Sequence, residues 1–267
     1  MPFFETSELR LHYEQVPNLL PRPTLFLHGN LASNVWWEPS VEIWSRQAKS
    51  FSPGQSAYLA EWRGCGKSSG PASEADLAMP NLANDVVQLV KKLNVGPMHV
   101  VGHSTGGLIA LLAMSQAPEL FSRAVLLDPV SPKGVTLDPA ILGAFDEMAK
   151  NRDLTATVLG GTIRGNQAAS PLFQRIVDSA CGVHPFIWKG IPKALNGIDF
   201  TREVSKVRHP TLVMHGQYDT VLPLDASQEL AKLLPEGRFE MLRDQGHSCN
   251  VENPELFVQG VNRFLFG

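Results

Sequence analysis

The chain lacks any apolar run long enough to cross a bilayer, so no membrane-spanning helix is expected. It is poor in cysteine. Only Cys65, Cys181 and Cys249 occur, far apart, with no C-x-x-C, so neither a disulfide framework nor a zinc site is indicated. It has no excess of either charge. Twenty-six acidic against 23 basic side chains leave a formal net charge of −3, which removes the electrostatic case for nucleic acid as a main partner. Internal repeats, low-complexity tracts and long charge blocks are also missing. Met1 to Arg10 carries Glu5, Glu8 and Arg10 and shows no apolar core of a secretory signal. The expectation from these absences is a cytoplasmic protein acting on a small molecule, as a monomer or homodimer, without membrane or nucleic-acid partners.

What is present is alternation. Short β-rich runs (Leu9–Gln15, Thr24–His28, Gln55–Glu61, Met98–His103, Ala124–Asp128, Thr211–His215, Arg238–Leu242) interleave with helical patterns (Pro39–Ala48, Pro80–Leu93, Thr105–Gln116, Leu224–Leu233, Pro254–Phe266). Such a rhythm predicts an α/β fold with a mostly parallel central sheet flanked by helices. In Met79–Leu93, Leu82, Val86, Leu89, Val90 and Leu93 recur at helical spacing, which leaves Asn84-Asp85 and Lys91-Lys92 on the outward face. Between Asp128 and His209 strand-like runs give way to helical ones: Ala140–Lys150, Ser170–Ala180 and Pro185–Leu195. Residues 131–208 are therefore expected to form a helical cap, or lid, inserted into a core made of 1–130 and 209–267.

One pentapeptide concentrates the chemistry. Gly102-His103-Ser104-Thr105-Gly106 fits G-x-S-x-G and lies between the run Met98-His99-Val100-Val101 and a helical stretch. A strand turning sharply into a helix holds the middle residue in a strained conformation and aims its side chain out of the sheet. A serine hydroxyl is a weak nucleophile and needs a base, and the base needs an orienting group. His247, in Asp244-Gln245-Gly246-His247, supplies a base. Asp219, in the loop after Thr211–His215, supplies an acid, and its rivals are Asp128, at another strand end, and Asp225, near a helix start.

With these residues in place the chain resembles the α/β-hydrolase fold family over nearly its whole length. His28-Gly29-Asn30, Trp62-Arg63-Gly64-Cys65-Gly66-Lys67-Ser68, the Gly102–Gly106 elbow and the pair Gly216–Asp219 and Gly246-His247 occur in the family's order. The resemblance implies that Ser104 attacks, His247 moves the proton and Asp219 holds the imidazole. It implies an oxyanion hole from the backbone N–H groups of Thr105 and Asn30, with Leu31 as the alternative second donor. Glu61 stands where the family usually bears aspartate, and is read as structural. The loop from Asn30 is similar to that of haloalkane dehalogenases, but Ser104 replaces their nucleophilic aspartate.

Trp36, Trp37, His103, Phe145 and Trp188 are the candidate substrate-binding residues. Packing is the competing reading for both Trp36 and Trp37, and His103 fits the packed elbow as well. No metal and no organic cofactor is called for. The function implied is a Ser-His-Asp hydrolase of a carboxylic ester, thioester or lactone, small to medium and hydrophobic. The alternatives are a carbon–carbon bond hydrolase with the same triad and a catalytically weak small-molecule binding protein.

Overall fold

A computed structural model describes residues 2–6, 9–47, 54–165 and 170–267. Eight strands form one sheet: β1 (Phe3–Glu5), β2 (Arg10–Leu20), β3 (Thr24–Leu27), β4 (Gln55–Ala60), β5 (Met98–His103), β6 (Phe121–Leu127), β7 (Thr211–Gly216) and β8 (Gly237–Leu242). Their order is β1-β2-β4-β3-β5-β6-β7-β8. β1 and β2 pair antiparallel at one edge, β2 meets β4 antiparallel, and the rest of the sheet is parallel. The helices before the strand–helix alternation breaks are α1 (Glu38–Gln47), α2 (Met79–Leu93) and α3 (Thr105–Gln116). Between β6 and β7 come α4 (Pro139–Lys150), α5 (Arg152–Gly161), α6 (Pro171–Cys181), α7 (Pro185–Leu195) and the short α8 (Thr201–Val204). The chain closes with α9 (Leu224–Leu233), α10 (Cys249–Glu252) and α11 (Pro254–Leu265).

A parallel sheet must be covered on both faces, and the strand sequences show how. Leu25, Leu27, Val100, Leu126 and Val213 face one core, shared with α2, α3 and α9. Their neighbours Phe26, Val101, Val125, Leu127, Leu212 and Met214 face the other, shared with α1 and α11. Side chains on a strand alternate between faces, so apolar residues at successive positions feed both layers. The α3 helix, wedged against the sheet, is buried from Thr105 through Met114.

Most expected elements are present, with differences. β1, α5, α8 and α10 are not expected from the sequence pattern, β2 runs past Gln15 to Leu20, and Ala48 of the expected first helix lies outside the described residues. A further difference is Asp85. It is buried rather than on the outward face of α2, because Arg63 grips it with two 2.7 Å hydrogen bonds. A planar guanidinium paired bidentately makes burial of a carboxylate tolerable.

Between β6 and β7 the described residues form helices and one isolated bridge, Val135 with Asn196. These helices rest on loops at the C-terminal ends of the strands. His184 N–H donates to the Gly64 carbonyl, and Arg175 pairs with Glu38. Among the described residues no helix is long and apolar enough to cross a membrane.

Candidate active site

The chemically equipped residues stand where strands end. Ser104 follows β5, Asp128 follows β6, Asp219 lies beyond β7 and His247 beyond β8. In open α/β sheets this carboxyl-end rim is where ligands bind.

Ser104 sits at φ +54°, ψ −122°. A non-glycine residue held in a sparsely populated backbone region costs on the order of 1–3 kcal/mol. Hydrogen bonds hold it there: Ser104 N–H donates to the Leu127 carbonyl, and the Ser104 carbonyl accepts from Gly107 and Val130. The flanking glycines let strand and helix touch. A methyl group on Gly106 would fall 2.3 Å from the Leu27 carbonyl oxygen, and one on Gly102 would fall 2.6 Å from the Gly106 carbonyl oxygen. Ser104 is 9% exposed.

Asp219 Oδ2 lies 2.7 Å from His247 Nδ1. A carboxylate only accepts, so Nδ1 carries the hydrogen and Nε2 keeps its lone pair. Asp219 Oδ1 accepts from Val221 N–H at 2.7 Å and Leu222 N–H at 3.1 Å. Burial opposes the Asp219 charge, but the His247 hydrogen bond and these amides prevail, and its pKa lies below the ordinary carboxylate value. Two glycines bring these loops together: a methyl on Gly216 would land 1.9 Å from the Gly246 carbonyl oxygen.

The Gly29–Asn30 turn lies against the elbow, with Gly29 in contact with Ser104. His28 supports it, its Nδ1 2.8 Å from the Gly29 carbonyl oxygen, while its ring stacks on Trp62 at 5.2 Å. Thr105 is the first residue of α3, so its N–H has no carbonyl one turn earlier to pair with. Leu31, next along the turn, adopts φ +50°. Glu61 is structural in its contacts: it accepts from the Asn34 and Lys67 amides and pairs with His12 at 2.8 Å.

The aromatic candidates separate. Trp37 is wholly buried in the core of the α1 face, edge-on to Phe26 and stacked on Phe257, so packing and not substrate contact accounts for it. His103 is also enclosed. Its Nε2 donates to the His247 carbonyl at 2.9 Å, and its ring lies between Trp36 and His247, at 5.8 and 5.0 Å. It braces the histidine loop through that bond. Burial, with the nearby His247, holds its pKa down at about 3, so it stays neutral. Trp36 is buried, and its carbonyl accepts from Asn250. Trp188 on α7 is buried in the apolar cluster that includes α2 and α3, and the half-buried Phe145 on α4 packs against that cluster.

Sequence reasoning missed several supports. Glu252 accepts from the amides of Gly246, at 2.6 Å, and Ser248, at 3.1 Å, and so clamps the backbone on both sides of His247. Its place just before the α11 pattern gave no signal of this. His215, whose spacing suggests only a structural or surface role, is fully buried, with Nδ1 2.8 Å from Ser227 Oγ and Nε2 3.5 Å from Asp219 Oδ2. Asp128 is buried beside it. Two sets of donors, His103–Asp128–His247 and Asp128–His215–Asp219, come within 4.8 Å of one another. Asp128 is common to both sets; its Oδ1 accepts from the Gly216 amide while Asp219 accepts from His247, which suits a hydrogen-bonded network better than an ion cage.

Comparison with known proteins agrees with this architecture. The family described as the alpha/beta hydrolase fold matches residues 23–177. A non-heme chloroperoxidase of Streptomyces lividans is 30% identical over 265 residues, covering 91% of each chain. A protein of Agrobacterium fabrum, named provisionally as a carbamate hydrolase, is 28% identical over 254 residues, covering 91% of this chain and 93% of its own. The enol-lactonase of Burkholderia xenovorans LB400 superposes with a TM-score of 0.84 over the whole of both chains at 20% identity, a likeness of fold. The chain belongs to the α/β-hydrolase fold family, as a hydrolase of that fold.

Proposed function

We propose that this protein is a serine hydrolase that cleaves a carboxylic ester, thioester or lactone through an acyl-enzyme on Ser104. The observation that carries the reading is the strained Ser104 at the end of β5 together with the buried, hydrogen-bonded Asp219–His247 pair at the same rim of the sheet. Ser104 Oγ attacks the carbonyl carbon while His247 Nε2 takes its proton, and Asp219 stabilises the imidazolium. The alkoxide, thiolate or lactone oxygen then leaves with that proton. Water, activated by the same nitrogen, releases the acid. The Thr105 and Asn30 amides hold the oxyanion, each worth roughly 3–4 kcal/mol. Residues 131–208 act as a cap, with Phe145 and Trp188 favouring an apolar substrate of small to medium size.

Intact-mass spectrometry after exposure to a fluorophosphonate tests the nucleophile. A single adduct, absent in Ser104→Ala, is expected. An adduct retained in that variant, or none on folded wild type, removes the assignment. A panel of activated esters of varied acyl length then sizes the pocket.

A further inference from the structure

Behind Asp219 stands a second carboxyl that the proposed reaction does not use. Asp128 is completely buried, at φ +45°, its N–H donating to the Met214 carbonyl. Its Oδ1 accepts from Gly216 N–H at 2.7 Å and lies 3.5 Å from His215 Nδ1. Its Oδ2 is buried and meets no donor among the described residues. A carboxylate oxygen of Asp128 and one of Asp219 lie within 4.8 Å of each other.

Two ionised carboxylates buried this close repel strongly, and a buried oxygen with no donor, near another carboxylate, is the natural seat of a proton. We propose that Asp128 is a neutral carboxylic acid in the working enzyme, donating its proton to the Asp219 carboxylate, so that a buried acid–carboxylate pair orients His247. Asp128 is thus a positioning residue. Its neutrality has a chemical consequence: a second anion so close would favour charged imidazolium and leave less His247 free to act as base.

The surroundings agree. Burial drives the Asp128 carboxyl well above the ordinary range, the Asp219 charge adds to this, and the Gly216 amide opposes it. His103, at the end of β5, and His215, on β7, face the pair, and burial lowers the pKa of both, so neither supplies a compensating positive charge. His247 and, from α10, Cys249 and Glu252 complete the titratable groups around it, and the Glu252 charge also disfavours ionised Asp128.

The kinetic readout rests on the hydrolase reading; the spectroscopic one does not. Asp128→Asn keeps the shape, an acceptor for Gly216 and a donor for Asp219. It is expected to hold kcat/KM within about threefold and the acid limb of its pH profile within about 0.3 unit. Asp128→Leu removes both hydrogen bonds. It is expected to lower kcat about tenfold or more and move the acid limb upward, with rescue in the asparagine variant. A downward shift of about a unit or more in Asp128→Asn would show that a charge had been removed, and would overturn the proposal. So would unchanged kinetics in Asp128→Leu. Independently of turnover, infrared spectra of protein labelled with 13C-aspartate should show a protonated-carboxyl band at neutral pH that Asp128→Asn removes. Its absence from wild type, or its persistence in the variant, refutes neutral Asp128. If neither variant folds, the wild-type band and its 13C shift remain decisive.

Discussion

The rim of the sheet and the helices between β6 and β7 are built on different principles. At the rim, polar side chains are buried or half-buried and bonded to backbone: Glu252 to two amides, Asp219 to two amides and His247, His103 to a carbonyl. The intervening helices meet the rest of the protein through apolar contacts and half-exposed ion pairs such as Lys193–Glu74 and Arg175–Glu38. Exposed apolar side chains, Ile141, Val158 and Phe186, lie on the helices as well. Surface ion pairs contribute about 0–1 kcal/mol each, whereas breaking a buried network leaves unpaired groups. The rim therefore fixes a geometry, and under the proposed function the helices are the part left to set substrate fit.

The largest test of this contrast is at the rim. Ser104→Ala is expected to lower kcat by about 10⁴-fold or more with the fold intact, measured by turnover of an activated ester and by circular dichroism. Asp219→Asn should follow, at about 10³–10⁴-fold, because an amide no longer fixes the imidazole tautomer. Asp128→Asn should cost far less, and the reverse ranking would move the orienting acid to Asp128.

The same contrast explains what the sequence disclosed. Elbow, strand–helix alternation and the pairing of acid with histidine were legible because each leaves a local mark: glycines where chains touch, an apolar run before a turn, a polar residue just after it. The helix α2 was legible by periodicity, yet the face of Asp85 was not, since only the Arg63 grip decides it. The Asp128–His215–Ser227 layer and the Glu252 clamp were invisible because their partners lie far apart in sequence and bear no spacing. Trp37 and His103 carry the composition of pocket residues but belong to the layer beneath.

A smaller effect concerns acid stability. His103 titrates near 3 when folded and near 6.5 when unfolded, so in that window the unfolded chain binds more protons. Stability contributed by the neutral ring is full above pH ~6.5 and is lost as pH falls towards 3, with a slope of up to about 1.4 kcal/mol per unit. Urea unfolding between about pH 7 and 5 checks this. His103→Gln, which retains a donor for the His247 carbonyl, should flatten the slope; an unchanged slope would mean His103 is not the group responsible.

The smallest expected effect on chemistry comes from the helices. Trp188→Ala and Phe145→Ala remove apolar volume from the helical segment while leaving Ser104, Asp219 and His247 untouched. On a short activated ester kcat should stay within about threefold of wild type, because oxyanion binding and proton transfer are unaffected. On longer acyl chains KM should change by an amount equivalent to about 1–3 kcal/mol, upward where the acyl chain packs on the removed ring and downward where the ring had crowded it. Measuring kcat and KM along an acyl series separates the two regions. If either variant instead lowers kcat equally for every chain length, its side chain supports the rim, and the division between a rigid catalytic layer and a selective cover above it fails at that position.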